Sequence, residues 1–177
     1  VLITVSLVHA GNIQSPEKGW PQWRGPERSG ISAEKGLLRV WPEGGPKLVW
    51  KTGSLGGGYS SPIIGNGTIF ITGDMSEQTK IFALSTEGKV KWRAVNGKLW
   101  KKPFPGSRGS CCYSDGLLYH MNAHGRLVCL DAESGAEKWV VDTMAQYDAK
   151  NTVWGYSESP LVLNNMVIVT PGGKKAV

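Results

Sequence analysis

The 177-residue chain is predicted to be all-β, built from the four-stranded antiparallel blades of a β-propeller. Three observations predict this fold: an abundance of glycine and proline, a repeat with a period of 49 residues, and four short strand-like runs within a repeat. Glycine and proline, of which the chain has 24 and 10, disfavour long helices because they are the least favourable residues in a helix interior. A hydrophobic fraction of 40% is too high for a disordered chain.

The repeat is clearest in a glycine that is followed four residues later by a serine. The glycines are at positions 57, 106 and 155 and the serines at 61, 110 and 159, so both recur at a spacing of 49. Strand-like runs at residues 67–70, 116–119 and 165–168 follow in the same register. Such agreement at one offset indicates three copies of one structural unit.

The first complete copy contains four apolar or alternating runs, at residues 61–64, 68–72, 81–85 and 90–94. Turn residues separate them, with Gly-Asn-Gly at 65–67 and Glu-Gly at 87–88. Asn-Gly turns favour tight antiparallel hairpins. A four-stranded meander repeated every 40 to 50 residues or so is typical of a propeller blade.

These runs predict the organisation of the chain. Blade 1 spans residues 52–98, blade 2 spans 99–145, and a truncated blade 3 spans 146–177. Residues 11–47 form an amino-terminal extension, and residues 48–51 form an outer strand that closes the last blade of the ring.

Residues 1–10 are an uncharged apolar run, too short for a bilayer, which needs about 20 apolar residues. They are interpreted as part of a signal peptide, because Val8 and Ala10 are the small residues expected before a cut. The alternative is a buried first strand. The signal peptide predicts an extracytoplasmic protein, either periplasmic or secreted, without a transmembrane segment.

Charge and cysteine content exclude other classes. The net charge is +6, but the cations occur singly or in pairs such as Lys101-Lys102, so no nucleic-acid partner is expected. Three cysteines, two of them adjacent, fit neither a disulfide scaffold nor a spaced metal site.

Residues 129–139, Cys-Leu-Asp-Ala-Glu-Ser-Gly-Ala-Glu-Lys-Trp, resemble the tryptophan-docking repeat of the PQQ-like (quinoprotein alcohol dehydrogenase-like) β-propeller family. Residues 20–26 and 154–160 further resemble secreted bacterial members. The resemblance implies that Trp50, Trp92 and Trp139 pack between neighbouring blades. It also implies that the chain holds about three blades of a ring of roughly seven or eight.

The first strand of each blade lines the central channel of a propeller, so the aligned positions that begin it are candidate ligand contacts. They are Tyr59, Arg108 and Ser157, followed by Ser60, Gly109 and Glu158. Arg108 can pair with a ligand carboxylate, and Glu158 can coordinate a hard cation such as Ca²⁺. An ion pair between these two residues explains both equally well.

Trp100 and Trp154 lie outside the docking register. The family resemblance suggests an indole floor beneath PQQ, for which Trp154 is the tentative candidate. Packing of either ring beneath a loop is the favoured interpretation.

Cys111-Cys112 invites comparison with the vicinal disulfide of PQQ-dependent alcohol dehydrogenases. That bond is disfavoured here because neighbouring strand residues point to opposite faces, and Cys129 is expected about 9.5 Å away on the third strand. His120 and His124 are interpreted as polar turn residues at a blade edge, not as a metal pair.

The sequence leaves more than one function open. No catalytic residue and no metal ligand is assigned. The leading hypothesis is an exported, non-catalytic scaffold that binds a protein, a glycan or a small molecule. The alternative is a PQQ- and Ca²⁺-dependent dehydrogenase of alcohols or sugars. A third possibility, the propeller of the outer-membrane barrel-assembly machine, would need a lipidated cysteine where the sequence has Gly11.

Overall fold

A computed structural model describes residues 5–6, 19–101 and 103–176. Within them the chain forms three antiparallel sheets in chain order, which confirms the all-β propeller architecture. The proposed signal cut after Ala10 lies outside the described residues.

Blade 1 is a four-stranded meander whose strands lie in sequential order. They are β2 (Ile63–Gly65), β3 (Thr68–Met75), β4 (Gln78–Leu84) and β5 (Val90–Lys98), and β1 (Val5–Ser6) precedes them in the chain. Asn66 and Gly67 have φ values of 45° and 69°, as the predicted hairpin turn requires.

Blade 2 repeats this topology. Its strands are β6 (Cys112–Ser114), β7 (Leu117–Met121), β8 (Arg126–Asp131) and β9 (Glu137–Asp142). Asp115 and Gly116 repeat the left-handed turn with φ values of 49° and 77°.

The third sheet contains β10 (Leu161–Leu163) and β11 (Met166–Ile168), with β1 paired to β11. A five-residue helix, α1 (Thr143–Tyr147), precedes it and is capped by the Asp142 carboxylate, which accepts from the Ala145 amide. The helix spans the predicted boundary between blades 2 and 3. Among the described residues, no helix has the length and apolar character needed to span a membrane.

Two apolar cores lie between the blades, because side chains alternate along each strand of blade 2. Leu118 and Val128 face blade 1, whereas Tyr119 and Cys129 face blade 3. Blade 1 contributes Ile63, Phe70, Ile81 and Ala83 to the first core, and blade 3 contributes Tyr156, Val167 and Val169 to the second. Neighbouring blades are therefore joined by shared apolar cores.

Residues 48–51 are not in a strand, and Leu48 and Val49 are exposed. The strands predicted to pair with this segment lie outside the chain, so its role in closing the ring stays a prediction.

Candidate functional site

The predicted inner positions lie side by side at the approach to each sheet. Tyr59, Arg108 and Ser157 each stand four residues before the first strand of their blade. Gly58 and Ser107 form a parallel bridge, and the Tyr59 amide donates to the Ser107 carbonyl at 2.7 Å. These approach segments therefore run alongside one another.

The close approach depends on glycine at Gly109. A Cβ atom there would lie 2.5 Å from the Glu158 carbonyl oxygen and 3.0 Å from that of Met121. Any side chain would push the approach segments of blades 2 and 3 apart.

These segments line a cleft of about 460 Å³. It brings together three of the four tentative ligand residues, Tyr59, Arg108 and Glu158. The lining is completed by four serines, Ser61, Ser110, Ser157 and Ser159, and by Trp23. From the sequence, Ser61, Ser110 and Ser159 were recognised only as markers of the 49-residue repeat. Trp23 was not identified as a cleft residue because no periodicity connects it with the blades.

The Arg108 guanidinium is held by its own loop. Nη2 donates to the carbonyl oxygens of Pro103 at 2.7 Å and Phe104 at 2.5 Å. The group lies over the rings of Tyr59 and Trp100, 5.6 and 5.8 Å from their centroids. Nε is buried and has no hydrogen-bond partner.

The Glu158 carboxylate is also engaged within the chain. It accepts from the Thr170 amide at 3.0 and 2.9 Å and from Thr170 Oγ1 at 2.7 Å. Ser60, at the same repeat position in blade 1, makes the corresponding contact with Thr72. The Arg108–Glu158 ion pair considered from the sequence is not formed: the acid stabilises its own blade instead.

Trp154 lies outside the cleft lining. Its ring stacks on Phe104, with centroids 5.5 Å apart, and 55% of the residue is exposed. The expectation that Trp154 packs beneath a loop is therefore wrong. Trp100 does pack in this way: it is buried, and its Nε1 donates to the Pro103 carbonyl at 2.9 Å.

Two of the three repeat tryptophans, Trp92 and Trp139, lie between neighbouring blades, and Trp50 lies against blade 1. The Trp92 Nε1 donates to the Ala132 carbonyl of blade 2 at 3.1 Å, and a Cβ on Gly135 would lie 2.7 Å from its ring. Trp50 covers Gly88 in the same manner, at 2.6 Å. Trp139 packs against the core between blades 2 and 3.

Cys111 and Cys112 are thiols, not a disulfide, in this structure. Cys111 immediately precedes β6, where the sequence had placed it within the strand, and its side chain joins the core shared with blade 1. Cys112 joins the core on the opposite face together with Cys129. Burial raises the pKa of Cys111 above its usual range and that of Cys129 to about 11.

His120 is completely buried on β7, so the interpretation as a polar turn residue is wrong. Its Nδ1 lies 2.8 Å from the Nδ2 of Asn96, a buried residue of blade 1. Burial lowers the pKa of His120 to about 4. His124 is in the predicted turn, with Nε2 3.1 Å from the Leu99 carbonyl oxygen. Among the described residues, no group of three His, Cys, Asp or Glu side chains could hold a metal ion.

Comparisons with known proteins agree with this architecture. A family model described as outer membrane protein assembly factor BamB matches residues 94–177. Quinohemoprotein alcohol dehydrogenase ADH-IIG of Pseudomonas putida is 29% identical over 127 residues, which are 64% of this chain and 16% of that protein. This chain thus spans a small part of that relative's length.

Two solved structures are similar to this chain. Quinohemoprotein alcohol dehydrogenase ADHIIG from Pseudomonas putida HK5 has a TM-score of 0.51 and 21% identity, covering 70% of this chain and 18% of that one. A europium-containing methanol dehydrogenase has a TM-score of 0.49 and 18% identity, covering 68% and 22%. The first likeness supports the fold, and the family match over residues 94–177 agrees with the PQQ-like β-propeller repeats predicted from the sequence.

Proposed function

We propose that this chain is part of an extracytoplasmic propeller that binds a ligand in the cleft without catalysing a reaction, serving as a binding or assembly scaffold. The main observation behind this proposal is how the two charged side chains of the cleft are hydrogen-bonded. Arg108 donates to two carbonyls of its own loop, and Glu158 accepts three hydrogen bonds from Thr170. Both side chains are therefore held by contacts within this chain, although Arg108 Nε has no hydrogen-bond partner.

What remains to meet a ligand is a set of exposed rings and hydroxyl groups. Tyr59 and Trp23 are 61% and 56% exposed, and the exposed Ser61 and Ser157 add hydroxyl groups that can donate or accept. Recognition by aromatic surface and a few polar groups is typical of small-molecule binding sites. General acid–base chemistry instead needs a titratable group within reach of the ligand.

The alternative is a dehydrogenase that uses PQQ and Ca²⁺, favoured by the name of the Pseudomonas putida relative. A calcium ion is bound by about six to eight oxygen atoms, and several of them usually belong to carboxylate groups. Glu158 is the one carboxylate in the cleft lining, and Thr170 occupies both of its oxygens. The described residues do not fit a calcium ion, so the ligands would have to come from outside this chain.

A titration of the full-length protein separates the two functions. PQQ and Ca²⁺ are added, and both absorbance and reduction of an artificial electron acceptor by alcohols and sugars are followed. We expect no acceptor reduction. Turnover would overturn the scaffold proposal and establish the dehydrogenase.

A thermal-shift screen over sugars, organic acids and peptides then tests for binding. Arg108→Ala is expected to weaken binding of the ligand that emerges by about tenfold while the protein remains folded, because the guanidinium lies against the Tyr59 ring in the cleft lining. Arg93→Ala is the matched control, because Arg93 lies over the Phe82 ring, outside the cleft. Equal affinities of both variants would remove Arg108 from the site.

The extracytoplasmic location rests on the apolar run at residues 1–10 and the small residues Val8 and Ala10. Cell fractionation and amino-terminal sequencing test it. A mature protein that begins at Gly11 is expected; a cytoplasmic protein that retains residues 1–10 would contradict it.

A further inference from the structure

Residues 20–28, here called the clasp, cross the inner edge of all three blades. Trp20 exchanges two backbone hydrogen bonds with Ile64, at 2.9 and 2.8 Å. The Tyr113 amide donates to the Pro21 carbonyl at 2.8 Å, and Arg28 Nη2 donates to the Val162 carbonyl at 2.9 Å.

The three contacted residues are equivalent positions of the repeat. Ile64, Tyr113 and Val162 recur at the 49-residue spacing, and each is the middle residue of the first strand of its blade. A first strand has one edge without a partner inside its own sheet, so its backbone groups need partners elsewhere. The clasp contacts every one of the three blades at that edge, with two hydrogen bonds to blade 1 and one to each of the others.

The clasp is stiffened by contacts within itself. Arg28 Nε donates to Gln22 Oε1 at 2.9 Å, and the Gly25 amide donates to the Gln22 carbonyl at 3.0 Å. Gly25 has a φ of 81°, and a Cβ there would lie 2.8 Å from the Trp20 ring. The bend at Gly25 therefore requires glycine, and it fixes the position of the neighbouring Trp23.

Trp23 is the clasp residue that lines the cleft. Its ring is more than half exposed, although both ends of the clasp are tied to the blades. An indole held at this position without being buried is available to a ligand. Such presentation costs little conformational entropy on binding, since the clasp is ordered beforehand.

We propose that the clasp forms one wall of the cleft and that Trp23 contacts a neutral, hydroxyl-bearing ring, of the chemical class of a saccharide. This inference rests on the proposed binding function of the cleft. Trp23 and Tyr59 offer aromatic faces for the apolar face of a sugar ring, and the exposed hydroxyls of Ser61 and Ser157 match sugar hydroxyls as donors and acceptors. A neutral ligand is favoured because the lining carries one cationic side chain, Arg108, and one anionic side chain, Glu158, whose charges balance.

Saturation-transfer NMR on the full-length protein tests the ligand class, with cellobiose, maltose and N,N′-diacetylchitobiose as neutral probes and digalacturonate as the acidic one. At least one neutral disaccharide is expected to bind, and Trp23→Ala is expected to weaken it by tenfold or so. Trp41→Ala is the matched control, because Trp41 is also exposed but lies outside the cleft lining. Preference for digalacturonate, or equal loss in both variants, would overturn the proposal.

Hydrogen exchange tests the clasp without any ligand. Gly25→Ala is expected to speed exchange of the Ile64 and Tyr113 amides at least tenfold, because the new Cβ strikes Trp20. Gly30→Ala is its control: Gly30 has a similar φ of 72°, but a Cβ there meets nothing closer than 3.6 Å. Unchanged exchange in Gly25→Ala would show that the clasp does not hold the blades.

The two failures are distinguishable. If no neutral disaccharide binds but a ligand from the thermal-shift screen does, and Tyr59→Ala weakens it, the saccharide proposal is wrong and the binding function stands. If nothing in either set binds, both proposals fail.

Discussion

The backbone amide of Ser110 donates to the side-chain oxygen of Ser159, 49 residues later and one blade further round, at 2.9 Å. The amide of Ser61 donates to the side-chain oxygen of Ser110 in the same way, also at 2.9 Å. Ser110 thus accepts from blade 1 through its side chain and donates to blade 3 through its amide. The serines join consecutive blades directly beside the cleft.

Replacing one of these serines by alanine leaves the backbone amide that donated to its hydroxyl without an acceptor. The loss of stability should depend on how deeply that amide is buried. Ser159→Ala leaves the amide of buried Ser110 without an acceptor, which is expected to cost about 1–3 kcal/mol. Ser110→Ala strands the amide of exposed Ser61, which water can satisfy, so the expected loss is about 1 kcal/mol or less. Urea unfolding measures both. Ser157→Ala, at an exposed cleft position, is the control and should change little.

Substitution of Gly135 is expected to destabilise the protein because the Trp92 ring packs directly against this glycine. Gly135→Ala places a Cβ 2.7 Å from the indole, whereas Gly116→Ala, at a nearly equal φ, meets nothing within 4 Å. Both variants bear the cost of a left-handed alanine, about 1 kcal/mol, but only the first adds a clash. Urea midpoints should therefore fall further for Gly135→Ala. Trp92→Ala should remove that extra loss in a double-mutant cycle; additive effects would show that the two residues do not interact.

The repeat predicted most of what lies within a blade. Turn chemistry at Asn66-Gly67 and Asp115-Gly116 and two-residue alternation are local properties, so the strands and hairpins could be placed from sequence. Alternation also correctly predicted that Cys111 and Cys112 face opposite sides of the sheet. The inner positions were aligned correctly because they share the same 49-residue register.

Contacts that cross between blades without following the repeat could not be predicted. His120 is buried because Asn96 of blade 1 meets it, a pairing that the residues around either one do not signal. Trp23 reaches the cleft through an irregular segment with no periodicity. Arg108 and Glu158 were identified as departures from the repeat, but their partners depend on loop geometry.

The three thiols are expected to be unreactive until the protein unfolds. Cys111, Cys112 and Cys129 are all buried, and burial raises the pKa of Cys111 and Cys129, which reduces the thiolate that alkylating agents require. Iodoacetamide at pH 8 should label none in the native protein and all three in guanidinium chloride. Intact mass before and after reduction provides the control. A mass 2 Da lower before reduction would reveal a disulfide and contradict the structure.

The burial of His120 should make the protein lose stability in acid. Its pKa is lowered from 6.5 to about 4, so the unfolded chain takes up a proton that the folded protein excludes. The contribution is constant above about pH 7 and is lost as the pH falls from 6.5 towards 4, by about 3 kcal/mol in total. Arg126 anchors the same network, donating to Asn96 Oδ1 at 2.7 Å. His120→Gln keeps an acceptor for Asn96 but cannot titrate, so its urea midpoint should depend less on pH. His124→Gln, at the half-buried histidine, should retain the dependence of the original protein. Parallel curves for the original protein and His120→Gln would assign the acid sensitivity to another group.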